Sequence, residues 1–397
     1  MEQLIWQLKV KTMKTKPYKV AQVFIAACIG MSLFGVSMMV MGALLPLLSA
    51  KFSLNTAQAT TLVAFLPVGM LIGSTIFGPI VDRYGYKALL IVSSALVLLG
   101  LEGMMLFEDI LFVQLSIMGI GLGGGILNGE TNAMVSDIYN DTKRESKLSF
   151  LGVFYGIGAL GIPLLLSNLG DIYTYSQIIR SLEVIFGVGL IYCIVITYPL
   201  PKHQQGFPIR KSFKLLRNKH LLLLAFILFF QSGIEGSTNN WTVLYLVNNA
   251  FTSQQTALLS ITVMILALTL ARIILVWMLK RVDPNKILIF SLLLAIVGYL
   301  LLIKPTYVTT LMGMACIGMG LASTFPIILG KIGALYSSLS GTAFSIALVI
   351  SLIGNNILNS MTGVFTGTIA PVLYPLLMIV SLITILLLNR KTFKIKH

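Results

Sequence analysis

The sequence predicts an all-α membrane protein of twelve transmembrane helices in two pseudo-symmetric six-helix bundles. Three observations predict it: a composition too apolar for a water-facing surface, a series of apolar runs of spanning length, and a charged turn that recurs six runs later. Of the 397 residues, 57% are apolar and 10% charged, against about 25% charged in soluble globular proteins. So little charge cannot coat a globule of this size, and most of the outer surface must face lipid. A net charge of +15 and a pI near 9.7 are also the mark of nucleic-acid binders. Here the basic residues sit in short gaps between apolar runs, which is the pattern of basic loops on one side of a membrane.

A helix needs about 20 apolar residues to cross the hydrocarbon. Candidate spans fall in order at 20–48, 60–79, 88–107, 111–135, 148–167 and 178–198, then at 221–247, 255–279, 287–303, 308–329, 341–365 and 372–388. The first is much longer than a signal-peptide core and has no small-residue cleavage site before polar sequence resumes, so it is expected to be retained. The fourth and fifth are rich in glycine, including Gly121, Gly125, Gly152 and Gly156. Small residues at four-residue spacing let helix backbones approach closely, so these are expected packing surfaces for helices that rock. The seventh holds a polar, glycine-rich stretch from Gln231 to Trp241. At that depth it must line a cavity or be buried by protein.

Of the 28 Lys and Arg residues, 24 fall on the side that holds the N-terminus, only Lys51, Arg180 and Lys304 fall on the other, and Arg272 lies within a span. The positive-inside rule then makes both termini cytoplasmic. Residues 1–199 are expected to form one bundle, 200–220 a basic cytoplasmic linker, and 221–397 the second bundle. Asp82-Arg83-Tyr84-Gly85-Tyr86-Lys87 follows span two, and Lys280-Arg281-Val282-Asp283-Pro284-Asn285-Lys286 follows span eight. Such an echo marks a duplicated unit.

Gly78-Pro79-Ile80-Val81-Asp82-Arg83-Tyr84-Gly85-Tyr86-Lys87 resembles the signature that major facilitator superfamily transporters carry between spans two and three. The glycines allow a tight turn, and Asp82, Arg83 and Lys87 can form charge pairs that hold one conformation and release in another. With Arg272 they are the candidate gating residues. The resemblance implies a transporter that works by alternating access. It implies no enzyme activity and no cofactor, and the absence of a GxxxxGK[ST] pattern gives no support for direct ATP drive.

Charged residues within spans are rare and default to functional candidates. Glu130 lies in span four within Asn128-Gly129-Glu130-Thr131-Asn132, and Glu235 lies in span seven. An acid at bilayer depth costs about 2.5–3.5 kcal/mol, and taking up a proton relieves that cost. Glu130 is therefore the candidate proton-coupling group. The alternative is a structural ion pair with Arg272. All three histidines (His203, His220, His397) lie in the linker or tail, outside any relay. Asn239 and Asn240 offer donors and acceptors for vicinal hydroxyls, and Trp241 offers an apolar face for a pyranose ring. An interfacial belt of Trp241 and Tyr245 is the other reading.

Several stretches resemble the branch that includes the fucose:proton symporters and related glucose carriers. They are Glu130-Thr131-Asn132-Ala133 in span four, Gly233-Ile234-Glu235-Gly236 ahead of Trp241 in span seven, and Ser323-Thr324-Phe325-Pro326-Ile327-Ile328 in span ten. The resemblance implies a sugar as substrate, bound by Asn132, Glu235, Asn239, Asn240 and Trp241. It also implies symport with a proton or other cation by a monomer in the cytoplasmic (inner) membrane. In span one the family's acid before Leu-Leu-Pro is missing from Met41-Gly42-Ala43-Leu44-Leu45-Pro46. A drug efflux antiporter is the alternative, but Leu115-Ser116-Ile117-Met118 lacks that group's arginine.

Overall fold

The computed structural model describes residues 18–169, 172–201, 214–248, 253–368 and 373–394. The part of the expected linker between 202 and 213 lies outside the described residues, as do the basic residues ahead of Tyr18.

The described chain is a succession of helices. The first group is α1 (Val20–Lys51), α2 (Thr56–Tyr84), α3 (Tyr86–Leu106), α4 (Ile110–Ile138), α5 (Asp141–Leu169) and α6 (Tyr175–Val195). The second is α7 (Lys219–Asn248), α8 (Gln254–Met278), α9 (Pro284–Leu301), α10 (Tyr307–Leu321), α11 (Thr324–Leu335), α12 (Ser340–Thr368) and α13 (Leu373–Lys394). Among the described residues, 11 stretches are long and apolar enough to cross a membrane. The expected fifth span lies within α5, which opens with Asp141, Lys143, Arg144, Glu145 and Lys147 before its apolar part begins.

The expected tenth span is built from two helices, α10 and α11, with Ala322 and Ser323 between them. Pro326 is the cause. It has no N–H to give the Ala322 carbonyl, and its ring crowds that carbonyl, so the helical ladder breaks one turn earlier. Gln231 of α7 donates its side-chain amide to the Leu321 carbonyl at this break, at 3.1 Å.

Local signals set the other boundaries. Asn55 with Gln58, Thr174 with Gln177, and Thr306 with Thr309 form capping boxes at the starts of α2, α6 and α10. Asp283 accepts from the backbone N–H of Asn285 and Lys286 and so caps α9, with Pro284 at the first turn. Gly85 joins α2 to α3 with φ of 78°, a left-handed conformation that a side chain would strain.

The two groups repeat each other. Gly121 of α4 packs on the backbone of α2 at Leu66 and Met70, and Gly318 of α10 packs on α8 at Met264 and Leu268. Gly123 lies against Ser93 of α3, and Gly320 against Ser291 of α9. Each group packs mainly within itself, α2 and α3 on α4, α8 and α9 on α10, and α7 on α12. The groups meet where α2 packs on α12 and α5 packs on α8. A Cβ on Gly152 would come within 2.9 Å of the Arg272 guanidinium, so the glycine at this crossing is what allows the approach.

Candidate functional site

The contacts that join the groups cluster toward the end of the bundle that carries the Asp82 turn, here called the basic end. Asp82 is 1% exposed. Its carboxylate accepts from the backbone N–H of Gly341 and Thr342 at 3.1 and 2.9 Å, and from the Thr342 hydroxyl at 2.7 Å. These are the second and third residues of α12, so a carboxyl group from one group of helices meets the free N–H groups of a helix N-terminus in the other. Higher up, the Ser345 hydroxyl donates to the Ser74 carbonyl at 2.5 Å. On the other side of the bundle, Ser146 donates to the Val276 carbonyl at 2.9 Å and Ser149 to the Arg272 carbonyl at 2.8 Å.

The expected gating residues separate into two pairs. Asp82 and Arg272 reach across the groups, and the Arg272 guanidinium donates to the Gly152 carbonyl at 2.9 Å. Lys87 stays within its own group, donating to the Ile196 carbonyl at the end of α6 at 3.2 Å. Arg83 lies over the Tyr84 ring at 5.2 Å. The matching acid after span eight, Asp283, serves its own helix as a cap, so the echo in sequence performs different work in the two groups.

Arg272 is 6% exposed, lies 5.9 Å from the Tyr155 ring centroid, and has no partner for Nε among the described residues. Arg272 and Tyr155 stand together at the α5–α8 crossing, and Glu235 of α7, which also packs on α8, is within electrostatic reach of both. Among the described residues, no ion pair within 4.0 Å holds Glu235. It is within electrostatic reach of Arg272 but beyond ion-pair distance.

Glu235 and Asn239 are one turn apart on α7, both half-buried, and Asn239 Oδ1 has no partner among the described residues. Asn240, next to them, is exposed. Trp241 is turned toward α12, where its indole N–H donates to Asn359 Oδ1 at 2.6 Å and its ring packs on Gly363. The structure therefore does not bring Trp241 to the face that Glu235 and Asn239 share.

On α4, Asn132 is 7% exposed and donates to the Asn128 carbonyl at 2.7 Å and the Asn128 side-chain oxygen at 3.2 Å. Asn128 is the one residue between Gly123 and Ser136 that keeps part of its surface. Phe325 is the one residue between Leu321 and Gly330 that does so. These two positions correspond in the repeat, each five residues beyond the glycine that packs on α3 or α9. Both lie in stretches singled out in the sequence, but neither is among the expected binding residues. The signal was available as a polar residue one turn before Asn132, and as an aromatic just before the helix-breaking Pro326.

Glu130 points elsewhere. It is 0% exposed, its Oε1 accepts from Ser93 of α3 at 2.7 Å, and its Oε2 has no partner among the described residues. It lies two residues from Asn128, about 200° round the helix, and so away from the Asn128 face. Arg272 is not what balances it.

Comparison with known proteins settles the family. The family model for the Major Facilitator Superfamily matches residues 26–358. The chain belongs to that superfamily. It is a transporter and an integral membrane protein, with the fold its sequence motifs implied. The glucose/mannose transporter of Bacillus subtilis (strain 168) is 28% identical over 303 residues, 72% of this chain and 74% of that one. The structure of FucP in the outward conformation superposes with a TM-score of 0.79 at 18% identity, covering 93% of this chain and 98% of the other. The proton:xylose symporter XylE bound to 6-bromo-6-deoxy-D-glucose gives 0.74 at 15%, covering 95% of each chain.

Proposed function

We propose that this transporter carries a sugar across the cytoplasmic (inner) membrane by alternating access, coupled to a proton. The observation that supports the reading is that Asn128 and Phe325 stand at equivalent positions of α4 and α11, each the one half-buried residue in an otherwise buried stretch, 123–136 and 321–330. An amide for hydroxyls on one side and an aromatic face on the other suit a pyranose ring. Arg272 Nε and Asn239 Oδ1 add a donor and an acceptor that have no hydrogen-bond partner among the described residues, with the Glu235 carboxyl nearby. A polyhydroxylated ligand can meet both the donor and the acceptors of such a set, whereas a lipophilic cation would leave the Arg272 donor unmet. Asn132 orients Asn128, and Asn240 lies at the edge of the site. The similarity to a glucose/mannose transporter supports the same substrate class.

In this reading the basic end faces the cytoplasm, both termini with it, and the contacts around Asp82 form a closed inner gate. Residues 1–199 and 221–397 rock as two bundles about the Gly152–Arg272 crossing, joined by a linker at 200–220, in a monomer. Glu130 is the proton-coupling group, because it is a buried acid held by one hydroxyl, with no partner for its other oxygen among the described residues. The test is a thermal-shift screen of purified protein against D-glucose, D-mannose, L-fucose, D-xylose and cationic drugs. Stabilisation by one or more sugars is expected. Stabilisation by the drugs alone would overturn the sugar reading in favour of efflux.

A further inference from the structure

Glu130 has a companion on its own face of α4. Asp137 lies seven residues on, two turns nearer the basic end and 20° from the same line. α3 repeats the spacing. Ser93 donates to Glu130 Oε1 at 2.7 Å, and Tyr86, seven residues before Ser93, donates to Asp137 Oδ2 at 2.5 Å. Two hydroxyl–carboxyl rungs therefore join the two helices, about 10 Å apart along the axis.

The rungs differ in access. The Glu130 rung is sealed, and Leu89, Leu90, Ala133 and Met134 between the rungs are all buried. Asp137 is half-buried, and its Oδ2 also accepts from the Ser340 hydroxyl at 3.1 Å. Ser340 opens α12, so it comes from the other group of helices. The surrounding titratable and charged groups are few. Cys193 of α6 and Tyr198 just beyond it lie within electrostatic reach of Glu130, and Asp82 within reach of Tyr86. Arg144 of α5 donates to the Ser136 carbonyl beside Asp137 at 2.9 Å.

We propose that Glu130 exchanges its proton with the solution at the basic end along the α3–α4 seam, through Asp137, and that Ser340 closes this port. The inference rests on Glu130 being the coupling group. In the step, the neutral Glu130 carboxyl gives its proton to water admitted to the seam, and that water passes a proton to the Asp137 carboxylate. Asp137 then releases it to bulk water, and Glu130 remains as a carboxylate holding the Ser93 hydroxyl. Because Ser340 belongs to the opposing group, the port opens only when the groups part at the basic end. The same movement uncovers the sugar, so one gate serves proton and sugar together.

The test uses the full chain in vesicles with an entrapped pH dye, with D-glucose or D-mannose added to drive proton movement. Thermal melting reports folding. Glu130→Gln and Asp137→Asn are each expected to slow sugar-driven proton movement about a hundredfold, the scale of a lost proton-transfer group. Asp137→Glu, which returns a carboxyl to the port, should recover most of it. If Asp137→Asn moves protons at the wild-type rate while Glu130→Gln does not, the port lies elsewhere and only this inference falls. If Asp137→Glu melts like the wild type yet recovers nothing, Asp137 is structural and the port is again refuted. If the wild type moves no protons with either sugar, the coupling reading fails and takes the port with it.

Discussion

Asn128 and Trp241 show how a residue's chemistry and its position divide the information. Trp241 has the side chain a sugar site favours, but its indole is tied to Asn359 on the α12 side of α7. Asn128 has no such distinctive side chain, yet it is the one half-buried residue in the buried stretch 123–136 of α4. Removing one good polar contact to a buried ligand costs about 1–3 kcal/mol, or roughly ten- to hundredfold in affinity. Asn128→Ala is expected to weaken D-glucose binding by that factor in calorimetry. Trp241→Phe, which loses the Asn359 bond and the indole's contact with Gly363, is expected to lower the melting temperature and leave sugar affinity unchanged. A weakened affinity in Trp241→Phe would return the indole to the site. Glu130→Gln mimics the protonated acid, so it should still exchange sugar in counterflow but fail to accumulate it under an imposed proton gradient. Gradient-driven accumulation in that variant would remove Glu130 from the coupling role.

At the scale of elements, the N-terminus of α12 is the part of the gate most open to test. Asp82 supplies three hydrogen bonds to Gly341 and Thr342, and bonds to a charged group contribute about 1.5–3 kcal/mol each in favourable cases. Asp82→Asn keeps one acceptor oxygen and loses the charge that favours a helix N-terminus. Its inner gate is expected to open more often, read as faster thiol labelling of a cysteine placed at Ser146, with slower sugar uptake. Unchanged labelling and uptake would make the turn a topology signal alone. The helices themselves were legible in the sequence because about 20 consecutive apolar residues leave few other solutions. The division of span ten into α10 and α11 was not foreseen, although Pro326 carried the signal. The orientation of Glu130 toward Ser93 was hidden because one sequence shows which residues share a helix, but not which neighbour each face meets. The loop echo after span eight was legible as a repeat. Its function was not, since Asp283 finds its partners in its own helix.

For the whole molecule, the account requires that the two groups of helices separate at the basic end in every transport cycle. Ser146 Oγ and the Val276 carbonyl are 2.9 Å apart across the α5–α8 crossing. A cysteine pair at these positions is expected to be joined by a short reducible bifunctional thiol reagent, to stop transport, and to regain it on reduction. Transport that continued in the crosslinked protein would show that this crossing does not part. The central claim is sugar transport, and radiolabelled D-glucose counterflow in reconstituted vesicles tests it most directly. Vesicles preloaded with unlabelled D-glucose should take up external label transiently, D-mannose should compete, and Asn128→Ala should blunt the overshoot. No overshoot with D-glucose, D-mannose, L-fucose or D-xylose, in protein that melts cooperatively, would contradict the account.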